Sequence, residues 1–371
     1  MSREPACAGD AMMLAACSVA LAALPPGLEA ALRGKTVLAT GCTGFFGLWT
    51  LACLEALRQE GVDCHVKVAS KDPGRFESSH PFFAGQGLVS WIQTEAADLS
   101  VESAGDFDYA LHMAASSDAA TNASDPVGMI QRMVAGAGAI SKLCALKGSP
   151  LLMVSSGAVY GRKAVDLGPS KESDDGRGPP CLDARQAYGQ AKRASEAVVA
   201  CQPGLAWTVS RPFAFLGPHL PLNAHFAAGN FLRDASRGQA IEIKGDGSPV
   251  RSFMHPADLA AWQLWLMCLG PRAEAVNVGS DESIGLGALA SEIASLAGGP
   301  VPRILGGPSG AAEGYVPDVT KARALGLRMA WSRRESIEQC LGWLAAEGGE
   351  WRGSNGVARG KGMDMKSREK T

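Results

Sequence analysis

The segment Thr40-Gly41-Cys42-Thr43-Gly44-Phe45-Phe46-Gly47 constrains this chain more than any other, because of what stands on either side of it. Ahead of it, Thr36-Val37-Leu38-Ala39 reads as a buried strand, and behind it residues 47–60 carry apolar side chains at helical spacing. Glycines at three-residue intervals between a strand and a helix let the backbone approach a ligand and let the helix start close to the sheet. The free N–H groups and positive dipole end of such a helix favour an anion, above all the pyrophosphate of a dinucleotide. Glycine triplets also occur in turns that serve packing alone, so the weight lies in the strand and helix around this one. A dinucleotide is expected against Gly41, Thr43, Gly44, Phe45, Phe46 and Gly47.

The same alternation continues along the chain. Val66-Lys67-Val68-Ala69, Tyr109-Ala110-Leu111-His112 and Leu151-Leu152-Met153-Val154 are short apolar runs, separated by helical patterns that include residues 126–147 and 184–200. This order predicts an α/β fold with a parallel sheet covered by helices on both faces. Residues 161–180 are rich in Gly, Pro and charge without periodicity and read as a long surface loop. Four regions are expected: a helical extension over 1–34, a dinucleotide-binding domain over 35–210, a smaller substrate-binding lobe over 211–350 with segments returning to the main sheet, and a disordered basic tail over 351–371.

Charge and cysteine usage narrow the partners. A formal net charge of −2 supplies no global field to gather nucleic acid or an anionic membrane, so neither is expected as a partner. The 10 cysteines are scattered with no CxxC pair, which predicts no metal site and a reducing, cytoplasmic setting. The apolar run over residues 11–24 superficially resembles a lipoprotein signal around Cys17. Arg3 alone supplies positive charge ahead of it, Glu4 and Asp10 offset that charge, and the apolar stretch before Cys17 is short, so an amphipathic helix ending at Pro25-Pro26 is expected instead.

Two further motifs carry chemistry. In Tyr188-Gly189-Gln190-Ala191-Lys192, positions i and i+4 share one helix face, so a phenol and an ammonium can enter one site. The ammonium is expected to lower the phenol from its reference near 10, making Tyr188 a candidate general base. Ser155-Ser156-Gly157-Ala158-Val159-Tyr160-Gly161 follows the strand over 151–154, at the carboxyl end of a sheet strand where ligands bind in open α/β folds. A hydroxyl there can bond the substrate oxygen that Tyr188 deprotonates. Alone, each motif is more commonly a helix-surface pair or a serine-capped turn.

Together and in this order, TGCTGFFG, SSGAVYG and YGQAK resemble the extended short-chain dehydrogenase/reductases, the epimerase/dehydratase group that acts on nucleotide sugars, over about residues 35–345. The resemblance implies a Rossmann-type, doubly wound parallel sheet with a smaller C-terminal substrate-binding lobe. It implies Ser156, Tyr188 and Lys192 as the catalytic trio, with Ser156 and Tyr188 also touching substrate and Tyr188 and Lys192 also touching the cofactor. Asp98 and Leu99 match the pair that contacts adenine, and Met113, Ala114 and Ala115 match the strand end beside the cofactor. Asn230 and Arg251 match positions that grip the nucleotide diphosphate, a task suited to arginine's planar fork. A homodimer paired through the helices over 126–147 and 184–200 is also implied.

Departures from the family pattern bear on cofactor and reaction. Ser70-Lys71 stands where an acidic residue would hold the ribose hydroxyls of NAD, and lysine suits a 2′-phosphate; NAD is expected as the usual cofactor of sugar epimerases, with NADP left open. Met133 and Ala214 replace asparagines that relatives carry. Gly157-Ala158 fill the positions where dehydratases place Asp-Glu, so neither carboxyl is present for elimination. Epimerisation through a transient 4-keto sugar is therefore the expected reaction. A 4,6-dehydratase or 4-ketoreductase is the alternative, and a non-catalytic dinucleotide-binding protein the second.

Overall fold

The computed structural model describes residues 7–346 apart from 86, 116–123, 179, 223–225, 308–309 and 311, so the expected tail over 351–371 lies outside the described residues. Its centre is a sheet of seven strands: β1 (Lys35–Thr40), β2 (Cys64–Ser70), β3 (Val89–Gln93), β4 (Tyr109–His112), β5 (Leu151–Val154), β6 (Trp207–Pro212) and β7 (Glu274–Val278). They run in the order β3-β2-β1-β4-β5-β6-β7, every neighbouring pair parallel. This is the doubly wound arrangement the alternation predicts.

Alternate residues of each strand feed two cores, which explains the near-continuous apolar runs. Val37 and Ala39 pack with Leu111, Leu152 and Val154 under the helices Phe45–Gln59 and Pro256–Leu269. Leu38 turns the other way, with Ala110, Leu151 and Met153, onto Ile140, Leu143 and Val199 of the helices Pro126–Lys147 and Ala187–Cys201. The N-terminal apolar run forms the helix Ala8–Ala22. Met13, Ala16, Cys17 and Ala20 on one face of it are buried in the first of these cores, and the Trp331 indole donates to the Ala16 carbonyl at 3.2 Å.

After β6 the chain builds a second, smaller sheet from Ser283–Gly285, Val250–Met254, Glu313–Tyr315 and Lys163–Ala164, with Ala214–Phe215 added against Val250–Met254. Helices Ala227–Ser236, Leu286–Leu296 and Arg333–Ala346 close a separate apolar core beside it. The stretch 161–180 is not the purely irregular loop expected. Its residues Lys163–Ala164 pair antiparallel with Glu313–Tyr315, and Ser170 bridges Pro317, so it is tied to the small sheet. A two-residue strand is too short to leave a periodic signature in the sequence.

The strand order reverses between β1 and β4, the point at which open α/β sheets bind ligands beyond the carboxyl ends of their strands. Thr40 and His112 are opposite one another in register there, joined by a 2.8 Å hydrogen bond between Oγ1 and Nδ1.

Candidate active site

Each glycine of the turn after β1 has its own reason. Gly41 has a left-handed φ of 80°, and a Cβ on it would lie 2.6 Å from the Ala114 nitrogen. A Cβ on Gly47 would lie 2.1 Å from the Cys42 Cα, so only glycine lets the helix begin against the turn. Gly44, the N-cap of helix Phe45–Gln59, is exposed, supplies no side-chain cap, and has nothing nearer its missing Cβ than the Gly41 carbonyl oxygen at 3.6 Å. Two glycines fit the turn to the protein, and the third leaves the first helix N–H groups without a side-chain cap. This suits the pyrophosphate of a dinucleotide.

The other residues expected around a dinucleotide lie along the same sheet edge. Met113 is buried with its N–H on the Thr40 carbonyl at 3.0 Å, and the Ala114 N–H reaches the Thr40 hydroxyl at 3.3 Å, with Ala115 following. Met133 packs with Met129 and Ala191 against Ala115 and Tyr188, making an apolar wall where relatives carry asparagine. Beyond β3, Asp98 is exposed and Leu99 buried. At the end of β2, Ser70 accepts from the Asp72 N–H, and Lys71 is paired to Glu95, 3.3 Å away. Sequence reading did not single out Glu95; its signal is its position directly after β3, the next strand outward.

Ser156, Tyr188 and Lys192 converge. Ser156 caps the short helical turn Gly157–Tyr160, accepting from the Ala158 N–H at 3.1 Å, and its hydroxyl lies beside the Tyr188 phenol. The Lys192 ammonium is buried 5.9 Å from the centre of the Tyr188 ring and donates to the Val154 carbonyl at 2.8 Å, at the end of β5. Burial pulls Lys192 down to about 8, with the Glu196 charge opposing. His112 is held at about 3 by burial and the Lys192 charge, so it is neutral.

The expected lowering of the Tyr188 phenol is reversed in the structure. Burial raises it, the neighbouring Tyr315 adds to the rise, and the Ser156 hydroxyl opposes both without prevailing. The physical reason is that desolvation of the phenolate outweighs an ammonium that is turned onto a backbone carbonyl.

Tyr315 was not singled out from sequence. Its phenol also lies beside the Ser156 hydroxyl, and its ring lies 4.7 Å from that of Phe213 and 5.9 Å from the Arg251 guanidinium. With only 4 tyrosines in the chain, the convergence of Tyr188 and Tyr315 on one serine depends on the small sheet, which no local pattern discloses.

A cleft of about 160 Å³ opens here, lined by Ala158, Arg162, Gln186, Arg251, Glu313 and Tyr315 among others. Arg251 donates to the carbonyls of Val250 (2.9 Å) and Glu313 (3.1 Å), and burial pulls it below its usual value despite the nearby Glu313. Arg162 pairs with the Glu313 carboxylate at 3.0 Å. Asn230 is not part of this lining; it sits on helix Ala227–Ser236, accepting from Arg233 at 3.1 Å. Arg251 thus lines the cleft, whereas Asn230, like Ser156, Tyr188 and Lys192, is not among its lining residues.

A sequence model described as the NAD dependent epimerase/dehydratase family matches residues 37–279, from β1 through β7 and beyond both chemical motifs. The chain belongs to this family. Among curated relatives it is similar to UDP-glucuronic acid decarboxylase 6 of Arabidopsis thaliana, 26% identical over 284 residues that cover 73% of this chain and 79% of the relative. Among solved structures it shares the fold of UDP-glucose 4-epimerase from Thermotoga maritima in complex with UDP-glucose (TM-score 0.69, 21% identity, 84% of this chain and 99% of the other). It also shares the fold of DesIV, a dTDP-glucose 4,6-dehydratase from Streptomyces venezuelae solved with NAD (TM-score 0.71, 21% identity, 83% and 96%). The family is that of NAD-dependent nucleotide-sugar epimerases, decarboxylases and dehydratases. Among the described residues no helix is long and apolar enough to cross a membrane.

Proposed function

We propose that this chain is a nucleotide-sugar epimerase that works through a transient 4-keto sugar with tightly bound NAD. The observation that carries this choice within the family is Ala158, a methyl group in the cleft wall two residues from Ser156. Loss of water needs an acid and a base beside the sugar, and Gly157-Ala158 supply neither. The cleft's carboxylate, Glu313, is engaged by Arg162.

Burial holds the Tyr188 phenol protonated in the free site, so in this reading bound cofactor and the Lys192 charge would have to favour its phenolate, which then takes the proton of the sugar C4 hydroxyl while the Ser156 hydroxyl bonds the same oxygen. NAD held at the Gly41–Gly47 turn would supply the acceptor for the C4 hydride and the donor for its return to the other face of the keto sugar. Lys192, charged below about 8, offsets the negative charge of the Tyr188 phenolate before it takes the proton, and is assigned to the nicotinamide ribose. The pyrophosphate of NAD is assigned to the Gly41–Gly47 turn, adenine to Asp98 and Leu99, and the strand end beside the cofactor to Met113, Ala114 and Ala115. The Glu95 carboxylate beside Lys71 favours ribose hydroxyls over a 2′-phosphate, which would have to displace it. Arg251 is assigned to the diphosphate of the substrate. Exposed Val127 and Leu146 on helix Pro126–Lys147 support pairing of two copies through that helix.

The decarboxylase reading is second, favoured by the UDP-glucuronic acid decarboxylases among the relatives. One experiment separates the readings: incubation of the purified protein with UDP-, TDP-, GDP- and CDP-sugars and catalytic NAD, with products read by mass and proton NMR and Tyr188→Phe as control. An isomer of unchanged mass, absent in the control, is expected. Loss of carbon dioxide or water would replace epimerisation with decarboxylation or dehydration, and gain of two hydrogens from added NADPH with ketoreduction. Bound dinucleotide without turnover would favour a binding protein.

A further inference from the structure

The trio is not held by its own contacts alone. A buried polar network runs through the segments that carry it. Glu196 lies one helical turn after Lys192. One of its carboxylate oxygens accepts from the Ser155 hydroxyl and from Arg211 Nε (3.1 Å), and the other from the second arm of the Arg211 fork (2.6 Å). Arg211, on β6, also donates to the Tyr160 phenol at 2.9 Å, and that phenol donates to Asn277 on β7 at 2.7 Å. The Asn277 amide donates to the carbonyls of Ser170 (2.8 Å) and Asp318 (3.1 Å), and its backbone N–H donates to Glu172 (2.8 Å). Ser155, Tyr160, Arg211 and Asn277 are all buried.

A buried ion pair is weak evidence of stabilisation, because desolvation offsets most of its attraction. Its distinctive property is geometry: a fork bidentate on a carboxylate fixes distance and plane together. Here the fixed plane joins Ser155, the neighbour of Ser156, to the helix of Tyr188 and Lys192. Through Tyr160 and Asn277 it also reaches the segment that follows Tyr315.

We propose that Glu196 is a positioning residue of the active site, clamped by Arg211 so that the turn bearing Ser156 and the helix bearing Tyr188 and Lys192 keep one fixed relation. This rests on the trio being the reacting groups, as in the proposed function. Glu196 has a second, electrostatic consequence. Of the ionisable groups around Lys192, His112 is neutral, Tyr188 is held protonated by burial, and Arg211 is engaged by Glu196. The Glu196 charge is what opposes the burial of the ammonium. Without that charge Lys192 loses its proton at lower pH, and the alkaline limb of the rate profile moves down with it.

The test compares wild type, Glu196→Gln and the double variant Glu196→Gln/Arg211→Met, which removes both charges where the single change leaves Arg211 unpaired. Lys192 is followed by NMR with isotope-labelled lysine, its resonance assigned by loss in Lys192→Met, and kcat and KM are measured against pH on the sugar that wild type turns over. Expected in both variants are a Lys192 titration below that of wild type, an alkaline limb displaced the same way, and a kcat lower by about 10-fold or more with KM nearly unchanged. Folded variants with an unmoved Lys192 titration and wild-type kcat would overturn the proposal. If Glu196→Gln does not fold, the double variant alone decides. A wild-type chain that turns over no nucleotide sugar would sink the functional reading only, since the Lys192 titration is read without turnover.

Discussion

The two walls of the candidate site are built on different principles. The wall that carries Ser156, Tyr188 and Lys192, which do not line the cleft itself, is backed by buried groups whose hydrogen bonds are closed among themselves. The wall built on the small sheet presents Arg251, held by two backbone carbonyls, and the Arg162–Glu313 pair, whose side chains are 59% and 42% exposed. A buried network has few alternative arrangements, whereas an exposed pair exchanges readily with water or an incoming anion. The first wall is suited to holding reacting atoms in place, and the second to gripping and releasing a charged substrate. In the proposed reaction, then, damage to the first wall should appear in kcat and damage to the second in KM.

The largest effect expected under this division is from Tyr188→Phe. It removes one oxygen from a half-buried ring and leaves the packing against Met129, Met133 and Ala191 in place. General-base catalysis contributes about 10²–10⁴-fold, so kcat should fall by that much with a melting temperature close to wild type. A variant that keeps most of its kcat would mean that the proton goes elsewhere, with Tyr315 beside the same serine hydroxyl as the first alternative.

Arg251→Gln should act on the other parameter. The guanidinium is half-buried beside the Tyr315 ring, and its charge is paid for in desolvation that a diphosphate would offset. Hydrogen bonds to charged groups contribute about 1.5–3 kcal/mol, which corresponds to a KM raised on the order of 10- to 100-fold. Steady-state kinetics on the accepted nucleotide sugar tests this. A fall confined to kcat would break the comparison, because it would place Arg251 among the groups that act on the transition state alone.

The difference between the walls also decides how much of each was legible in the sequence. The main-domain wall is local: Gly41 to Gly47 follow one strand, Ser155 and Ser156 follow another, and Tyr188 and Lys192 share one helix face. Their contacts are fixed by periodicities of two and 3.6 residues that can be read directly. The other wall depends on pairing distant segments. Tyr315 reaches Ser156 only because Glu313–Tyr315 lies between Lys163–Ala164 and Val250–Met254 in the small sheet, and strands of two or three residues carry no period. Arg251 was found through its motif and lines the cleft; Asn230, read in the same way, is not among the lining residues, and neither are Ser156, Tyr188 and Lys192. The Tyr188 phenol shows another kind of miss. Helix spacing placed the ammonium correctly, but desolvation, which depends on everything packed around the ring, set the direction of the shift.

The smallest effect is expected at Arg162. Replacing it with Gln removes an ion pair that solvent already screens, and exposed pairs contribute about 0–1 kcal/mol, so the melting temperature should move by no more than a few degrees. Its influence on KM should also be small if Arg162 serves chiefly to occupy Glu313. The Glu313 carboxylate would then be left in the cleft without its cation, and KM for an anionic sugar should rise more than KM for a neutral one. Paired measurements on a hexose and a hexuronic acid nucleotide therefore sharpen the comparison at its weakest contact. Equal, small changes would confine Arg162 to the rim. A rise of 10-fold or more on the acidic sugar alone, about 1.4 kcal/mol, would make the exposed pair a reader of substrate charge and raise the decarboxylase reading above epimerisation.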